Sequence, residues 1–182
     1  MEPFGHAFSG ICLAQALRPT PPGISTPPRG WWPAVGAFAA LFPDIDAVSY
    51  LGGADTFQRY HQYYTHNLIA FAFAPAMLTF LIRRLTPNPP TFARTLALLQ
   101  GGMALHLLGD TIAHWPLKLF WPFSREGLCF ELIPRDFSIG LALLLLFGAV
   151  LSFLDSVERS RRAIAIATLF AGTLYVLIGP GW

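Results

Sequence analysis

Two stretches without a single charged side chain constrain this chain more than any other feature. Phe137–Leu154 holds 18 residues without a charge, and the chain is charge-free again from Ala163 to Trp182. About 20 apolar residues at 1.5 Å rise each are what a helix needs to cross the ~30 Å hydrocarbon layer of a bilayer. The two runs therefore read as spanning helices, joined by the short basic turn Asp155–Arg162 into a membrane hairpin. Two further stretches, Asn67–Ile82 and Thr95–Trp115, read the same way. Asn67–Ile82 reaches only about 24 Å and needs its preceding turn or a thinned bilayer to span. Phe4–Leu17 and Trp32–Phe42 are weaker and read as half-buried. Between them lies the Pro-rich segment Arg18–Gly30, which cannot be helical throughout. The expected fold is an all-α polytopic membrane bundle, a single integral domain over residues 1–182. It has about four spanning helices plus two shorter N-terminal ones.

Composition excludes the main competitors. Charged residues make up 12% of the chain and hydrophobic ones 54%, the reverse of what keeps a chain unfolded and too apolar for a water-soluble domain. A net charge of +2 with one lysine, Lys118, cannot build a phosphate-binding surface, so no nucleic-acid partner is expected. Cys12 and Cys129 have no paired spacing and read as small apolar packers. Residues 1–20 lack the basic start of a cleavable leader, so insertion is expected to come from internal segments.

If all six segments alternate in direction, the connections sort by charge. One side collects Arg18, Arg29, Arg83, Arg84, Arg94, Arg159, Arg161 and Arg162 with the acids Asp155 and Glu158. The other has four cations against eight acids, among them Asp44, Asp46 and Asp110. Cytoplasmic loops carry the Lys/Arg excess, so the acid-rich side should face outward. All five histidines fall at outward ends: His6, His61, His66, His106 and His114. Segments distant in sequence thus deliver metal-binding side chains to one layer near the membrane surface.

The strongest pattern is His106-Leu-Leu-Gly-Asp110-Thr-Ile-Ala-His114. At about 100° per residue, positions i, i+4 and i+8 of a helix lie within about 80°, so imidazole, carboxylate and imidazole line one face. Such groups are expensive inside a membrane unless they pair or bind something. Their bland alternative is a His–Asp packing contact between helices. Pro43-Asp44-Ile-Asp46 follows an apolar segment. Alternate residues of an extended strand point one way, so this DxD can present two carboxylates to a cation, although the same pattern serves as loop or capping chemistry. In His61-Gln-Tyr-Tyr-Thr65-His66-Asn67, His66 can point a ring nitrogen at a cation while Thr65 caps the helix or orients a neighbouring ligand. The alternative is an interfacial belt of Tyr60, Tyr63, Tyr64 and the histidines. His6, on its own, is equally a polar helix end.

Mixed His/Asp ligation without paired cysteines favours Zn²⁺, with Mn²⁺ or Fe²⁺ overlapping in softness and geometry. Eight candidates, His6, Asp44, Asp46, His61, His66, His106, Asp110 and His114, exceed the needs of one tetrahedral ion and suit two or three ions with a bridging carboxylate. No GxSxG motif supports a serine nucleophile. Gly101-Gly102 reads as helix packing.

Over these motifs the sequence resembles the YdjM-like family of inner-membrane metal-dependent hydrolases, also described as LexA-binding. The resemblance runs through His6-Ala-Phe-Ser-Gly10, Pro43-Asp44-Ile-Asp46, His61 to Asn67, His106-Leu-Leu-Gly-Asp110 and Trp121-Pro-Phe-Ser124. It covers residues 4–124, the metal-site region, while the hairpin over 137–182 matches only in being apolar. Gln62 stands where the family prefers Arg, Asn67 where it prefers Ser, and His114 where Thr or Ser is usual. The family is similar in ligand pattern to zinc-dependent phospholipase C and to trinuclear-zinc single-strand nucleases.

That likeness implies metal-dependent phosphoester hydrolysis, with a lipid head group or similar substrate in the bacterial inner membrane and the site on the periplasmic side. Asp44 or Asp46 would bridge ions or take the proton from the attacking water, the other ligating. Arg59 or Arg125 would replace the missing family Arg. The competing class is a divalent-metal carrier or sensor built on the same residues, but a carrier should continue ionisable groups through Asn67–Ile82 or Phe137–Leu154, and neither has them. A LexA partner is suggested only by the family label, and an outward site argues against it.

Overall fold

The computed structural model describes residues 3–18, 30–113, 115–132, 135–155 and 157–178. His114 and most of the Pro-rich stretch, residues 19–29, lie outside them. The described chain is helical, in the order α1 (Pro3–Ala16), α2 (Trp31–Leu41), a 3-10 segment (Phe42–Gly52), α3 (Ala54–Tyr60), α4 (Leu68–Leu85), α5 (Phe92–Ile112), α6 (Arg135–Leu154) and α7 (Glu158–Ile178). Among the described residues the only β pairing is the bridge between Leu117 and Leu128. The all-α expectation stands.

The helices differ from the sequence reading where local chemistry extends or ends them. α4 runs on through Arg83 and Arg84 to Leu85. Its 18 residues reach about 27 Å, because long arginine side chains can carry their charge out of an apolar layer while the backbone stays helical. Its start is fixed by Asn67, whose Oδ1 accepts from the Ala70 N–H at 2.9 Å, so Asn67 and not Thr65 is the cap. α2 was expected to be half-buried and short. Instead it continues into the 3-10 segment, and Trp31–Gly52 forms one helical run of 22 residues, long and apolar enough to cross a membrane. Leu68–Leu85 and Arg159–Leu177 qualify likewise, whereas the described apolar part of α6, Ile139–Leu154, is shorter. α5 has the length, but His106 and Asp110 interrupt its apolar character.

α1 is central, packing on α2, α5, α6 and α7; α2 and α4 each pack on α5, and α6 on α7. Small residues make the closest of these approaches possible. A Cβ on Gly10 would lie 2.1 Å from the Gly36 carbonyl oxygen, and one on Gly102 would lie 2.6 Å from the Ala39 Cβ. The Gly101-Gly102 pair is thus partly a helix contact, as expected of small residues between membrane helices. Cys12 is fully buried. The interior carries His6, Ser9, Gln15, Thr79, Thr95, His106 and Asp110, while Phe73, Phe147 and Phe170 are more than 60% exposed. Polar groups inside and large apolar groups outside suit a chain whose solvent is lipid.

Helix direction separates two kinds of chemistry. His6 opens α1, Asp44 and Asp46 follow α2, His66 precedes α4, and His106 and Asp110 lie in the second half of α5. Arg83 and Arg84 close α4, about 25 Å of helix away from His66, and Arg94 opens α5 about 18 Å before His106.

Candidate metal centre

The 3-10 geometry changes how the two aspartates act. At three residues per turn, positions i and i+2 do not share a face, so Asp44 and Asp46 diverge instead of pointing together as in a strand. Asp44 Oδ1 lies 3.5 Å from His66 Nε2 and 3.6 Å from His106 Nε2. Asp46 approaches the same ring from behind, with Oδ2 3.3 Å from His66 Nδ1. It also accepts from His61 Nδ1 at 2.8 Å, from the Gln62 backbone N–H at 2.8 Å and from the Thr65 hydroxyl at 2.9 Å. Gln62 adopts a left-handed φ of 70°, and this turn brings its amide onto Asp46.

Two short relays fix which ring nitrogens stay open. The Ala40 carbonyl, in the last turn of α2, can only accept, so His106 Nδ1 donates to it at 2.6 Å. Thr65 spends its proton on Asp46, leaving its oxygen to accept from His66 Nδ1 at 3.1 Å. Both rings are thereby set with the ε nitrogen as the lone-pair side. Those nitrogens, His66 Nε2 and His106 Nε2, face each other at 3.0 Å. Asp110 Oδ2 lies 3.3 Å from His106 Nε2 and 3.7 Å from His66 Nε2.

His6 completes the cluster from α1. Its Nε2 meets Asp110 Oδ1 at 2.9 Å, and its ring stacks on His106 with centroids 3.9 Å apart. Its Nδ1 is buried without a hydrogen-bond partner among the described residues. His61 sits to one side, stacked on Phe57 at 4.4 Å and edge-on to Trp115.

Lone pairs and carboxylates gathered this closely repel one another unless a cation lies among them. Burial disfavours a charged His66, yet hydrogen bonding with Asp44 and Asp46 and the nearby charges of Asp46 and Asp110 outweigh it, pushing its pKa up to about 9. Among the described residues, three overlapping groups have ligand atoms close enough to hold a metal ion: His6, Asp44 and His106; His66, His106 and Asp110; Asp44, Asp46 and His61. His106 belongs to two of them and Asp44 to two.

A family profile described as YdjM inner membrane protein matches residues 1–180. The chain belongs to this family. The match takes in the C-terminal hairpin as well as the motif region, so the YdjM likeness reaches further than residues 4–124. No curated protein and no solved structure matches the chain. Family and apolar helices together make it a membrane protein of the inner-membrane YdjM type.

Seven of the eight sequence candidates therefore come together from α1, the 3-10 segment, the α3–α4 loop and α5. The eighth, His114, lies outside the described residues. Arg59 and Arg125 are both exposed. Missed in the sequence were the Ala40 carbonyl and the Gln62 amide, backbone groups that no side-chain motif announces. Asp46→Asn should leave the fold intact while weakening divalent-metal affinity about 10–100-fold, because it loosens two histidines at once. Metal titration of the purified variant checks this, and an unchanged affinity would remove Asp46 from its orienting role.

Proposed function

We propose that this YdjM-family protein is a membrane-embedded, metal-dependent hydrolase of phosphoesters. The observation that carries the reading is the meeting of His66 Nε2 and His106 Nε2 at 3.0 Å, with their tautomers set by Ala40 on one side and Thr65 and Asp46 on the other. His6, His66, His106 and Asp110 would hold the metal, with Asp44 shared towards a second group that includes His61. The donor set, imidazole nitrogens and carboxylates, fits Zn²⁺ best, with Mn²⁺ or Fe²⁺ as alternatives. A divalent ion bound there supplies an ionised water at neutral pH and neutralises charge on phosphoryl oxygens.

The chain's own groups divide the remaining work. Asp44, with its side chain 24% exposed, is the carboxylate that faces both the ε nitrogens and solvent. Asp44 would therefore bridge ions or take the proton from an incoming water. Asp46, bound on both oxygens, is a positioning residue that keeps His61 and His66 in register. Membrane orientation follows from charge: Arg83, Arg84 and Arg94 lie at the helix ends remote from the cluster, which supports an outward, periplasmic-facing site.

Elemental analysis of detergent-purified protein tests the metal, and phosphate release with and without chelator tests the reaction. About two to three zinc ions per chain, together with chelator-sensitive release, are expected. Because a proton on His66 competes with metal, the apparent metal affinity should weaken as the pH is lowered. Protein without bound metal, and none taken up on titration, would sink the reading.

A further inference from the structure

Beside the metal cluster, α4 carries a groove that the cluster itself does not use. It has a volume of about 570 Å³ and is lined by Tyr64, Asn67, Ala70, Phe73, Met77 and Trp121, among others. The α4 positions fall at i, i+3, i+6 and i+10, on the side of the helix turned away from the core residues Leu78 and Thr79. Ala70 and Ala74 give the groove a low floor, and Phe73 and Met77, 71% and 63% exposed, form walls on the lipid-facing surface. At its upper end Tyr64 meets Trp121 edge-on at 4.9 Å, and Asn67 directly follows His66 in the chain.

We infer that this groove holds one acyl chain of a bilayer phospholipid whose phosphoester is presented to the His/Asp cluster. The inference rests on the hydrolase reading and names its substrate class. Three observations carry it. The groove opens on α4, one of the helices long and apolar enough to span, so its surroundings are acyl chains rather than water. From Asn67 to Met77 the helix rises about 15 Å, half of a ~30 Å hydrocarbon core and hence the depth of one leaflet. The polar end, Tyr64 and Asn67, adjoins the loop that supplies His66, while the far end is apolar, matching a molecule with its head at the cluster and its tail in the membrane. The volume lies within the range of ligand-holding clefts.

Ala74→Phe raises the floor of the groove without touching a metal-binding residue, and Leu81→Phe places a phenyl ring on α4 outside the groove. The protein is reconstituted in phosphatidylethanolamine–phosphatidylglycerol vesicles that include a phospholipid with a photoactivatable acyl chain. Label should concentrate on Phe73, Met77 and Trp121, fall about tenfold in Ala74→Phe and stay unchanged in Leu81→Phe. Hydrolysis of vesicle phospholipid should fall in parallel, while cleavage of water-soluble bis(p-nitrophenyl) phosphate and the bound-metal content remain as in the unaltered protein. Even labelling along the apolar faces of α4, α6 and α7, indifferent to Ala74→Phe, would overturn the groove. So would a second copy of the chain, rather than lipid, cross-linking at these positions. Soluble-ester cleavage with vesicle turnover insensitive to Ala74→Phe would overturn the groove and leave the hydrolase reading standing. Cleavage of neither ester would remove the hydrolase reading, and the groove's substrate role with it.

Discussion

His106→Ala should leave a folded membrane protein that has lost its metal and, with it, phosphate release. His106 belongs to two of the three overlapping ligand groups, so one truncation removes a donor from both. Loss of an outer partner of a metal ligand already costs about 10–100-fold in affinity or activity, and loss of the ligand itself should exceed 100-fold. The change also strands the Ala40 carbonyl, whose partner at 2.6 Å is His106 Nδ1, and removes the surface on which His6 stacks. A stability loss could therefore imitate a functional one. His106→Gln keeps much of the volume and a donor, and is the better test of ligation. Leu108→Ala, on the same helix but 60% exposed, is the control that should change neither metal content nor turnover. Retention of metal at its original stoichiometry in His106→Gln, with full activity, would refute the assignment of the centre.

The same variants separate a hydrolase from a carrier. A carrier built on these residues would lose metal flux on His106→Gln but would release no phosphate even when unaltered. The carrier reading also lacks a route. Among the described residues, Gln15, Thr79 and Thr95, buried towards the arginine-bearing end, are uncharged, and the Thr79 and Thr95 hydroxyls are bonded to backbone carbonyls one turn back, on Pro75 and Thr91; the buried charge at that end, Arg161, is a cation bonded to the Asp155 carbonyl and offers no ligand to a metal. Among the described residues no chain of ionisable groups that could ligate a divalent ion crosses the bundle, which favours the hydrolase reading over the carrier.

How far the sequence disclosed the centre depends on which atoms are considered. His106 and Asp110 share a helix face by spacing alone, and α5 preserves that spacing through Ile112. His6 and His66 were reachable only by supposing that the segments alternate, because the contacts that join them, His6 to Asp110 and His66 to His106, cross 104 and 40 residues of chain. The division between Asp44 and Asp46 was not legible. A DxD in an extended strand and the same DxD in a 3-10 turn present opposite arrangements, and the local sequence Phe-Pro-Asp-Ile-Asp does not announce which backbone it takes. Asn67 carried a readable signal, an amide side chain immediately before an apolar run, that Thr65 obscured. The relays through Ala40 and Gln62 use main-chain groups, which every residue possesses and no composition can single out.

Gly10→Val should be the most damaging change at a residue that is not itself a ligand, destabilising the protein by about 3 kcal/mol as a heavily overpacked contact. The Gly10 Cβ position lies 2.1 Å from the Gly36 carbonyl oxygen and 2.8 Å from the Ala40 Cβ, and the Gly36 Cβ position lies 2.6 Å from the Ala14 Cβ. Backbone rather than a flexible side chain blocks the new atoms, so α1 and α2 must move apart. His6 lies one turn before Gly10, and Ala40, which holds His106, lies one turn after Gly36. Separating the helices therefore draws His6 away from Asp110 and shifts the His106 ring, and metal affinity should fall together with the thermal midpoint in detergent. Gly148→Val supplies the contrast. Its Cβ position lies 2.0 Å from Thr168 Oγ1, between α6 and α7 and away from every ligand, so it should lower the midpoint while the folded fraction keeps its metal. Gly30→Ala, with nothing within 4 Å, should alter neither. If Gly10→Val unfolded the chain no more readily than Gly30→Ala, or if Gly148→Val lost metal as Gly10→Val is expected to, the close α1–α2 approach would not be what assembles the centre.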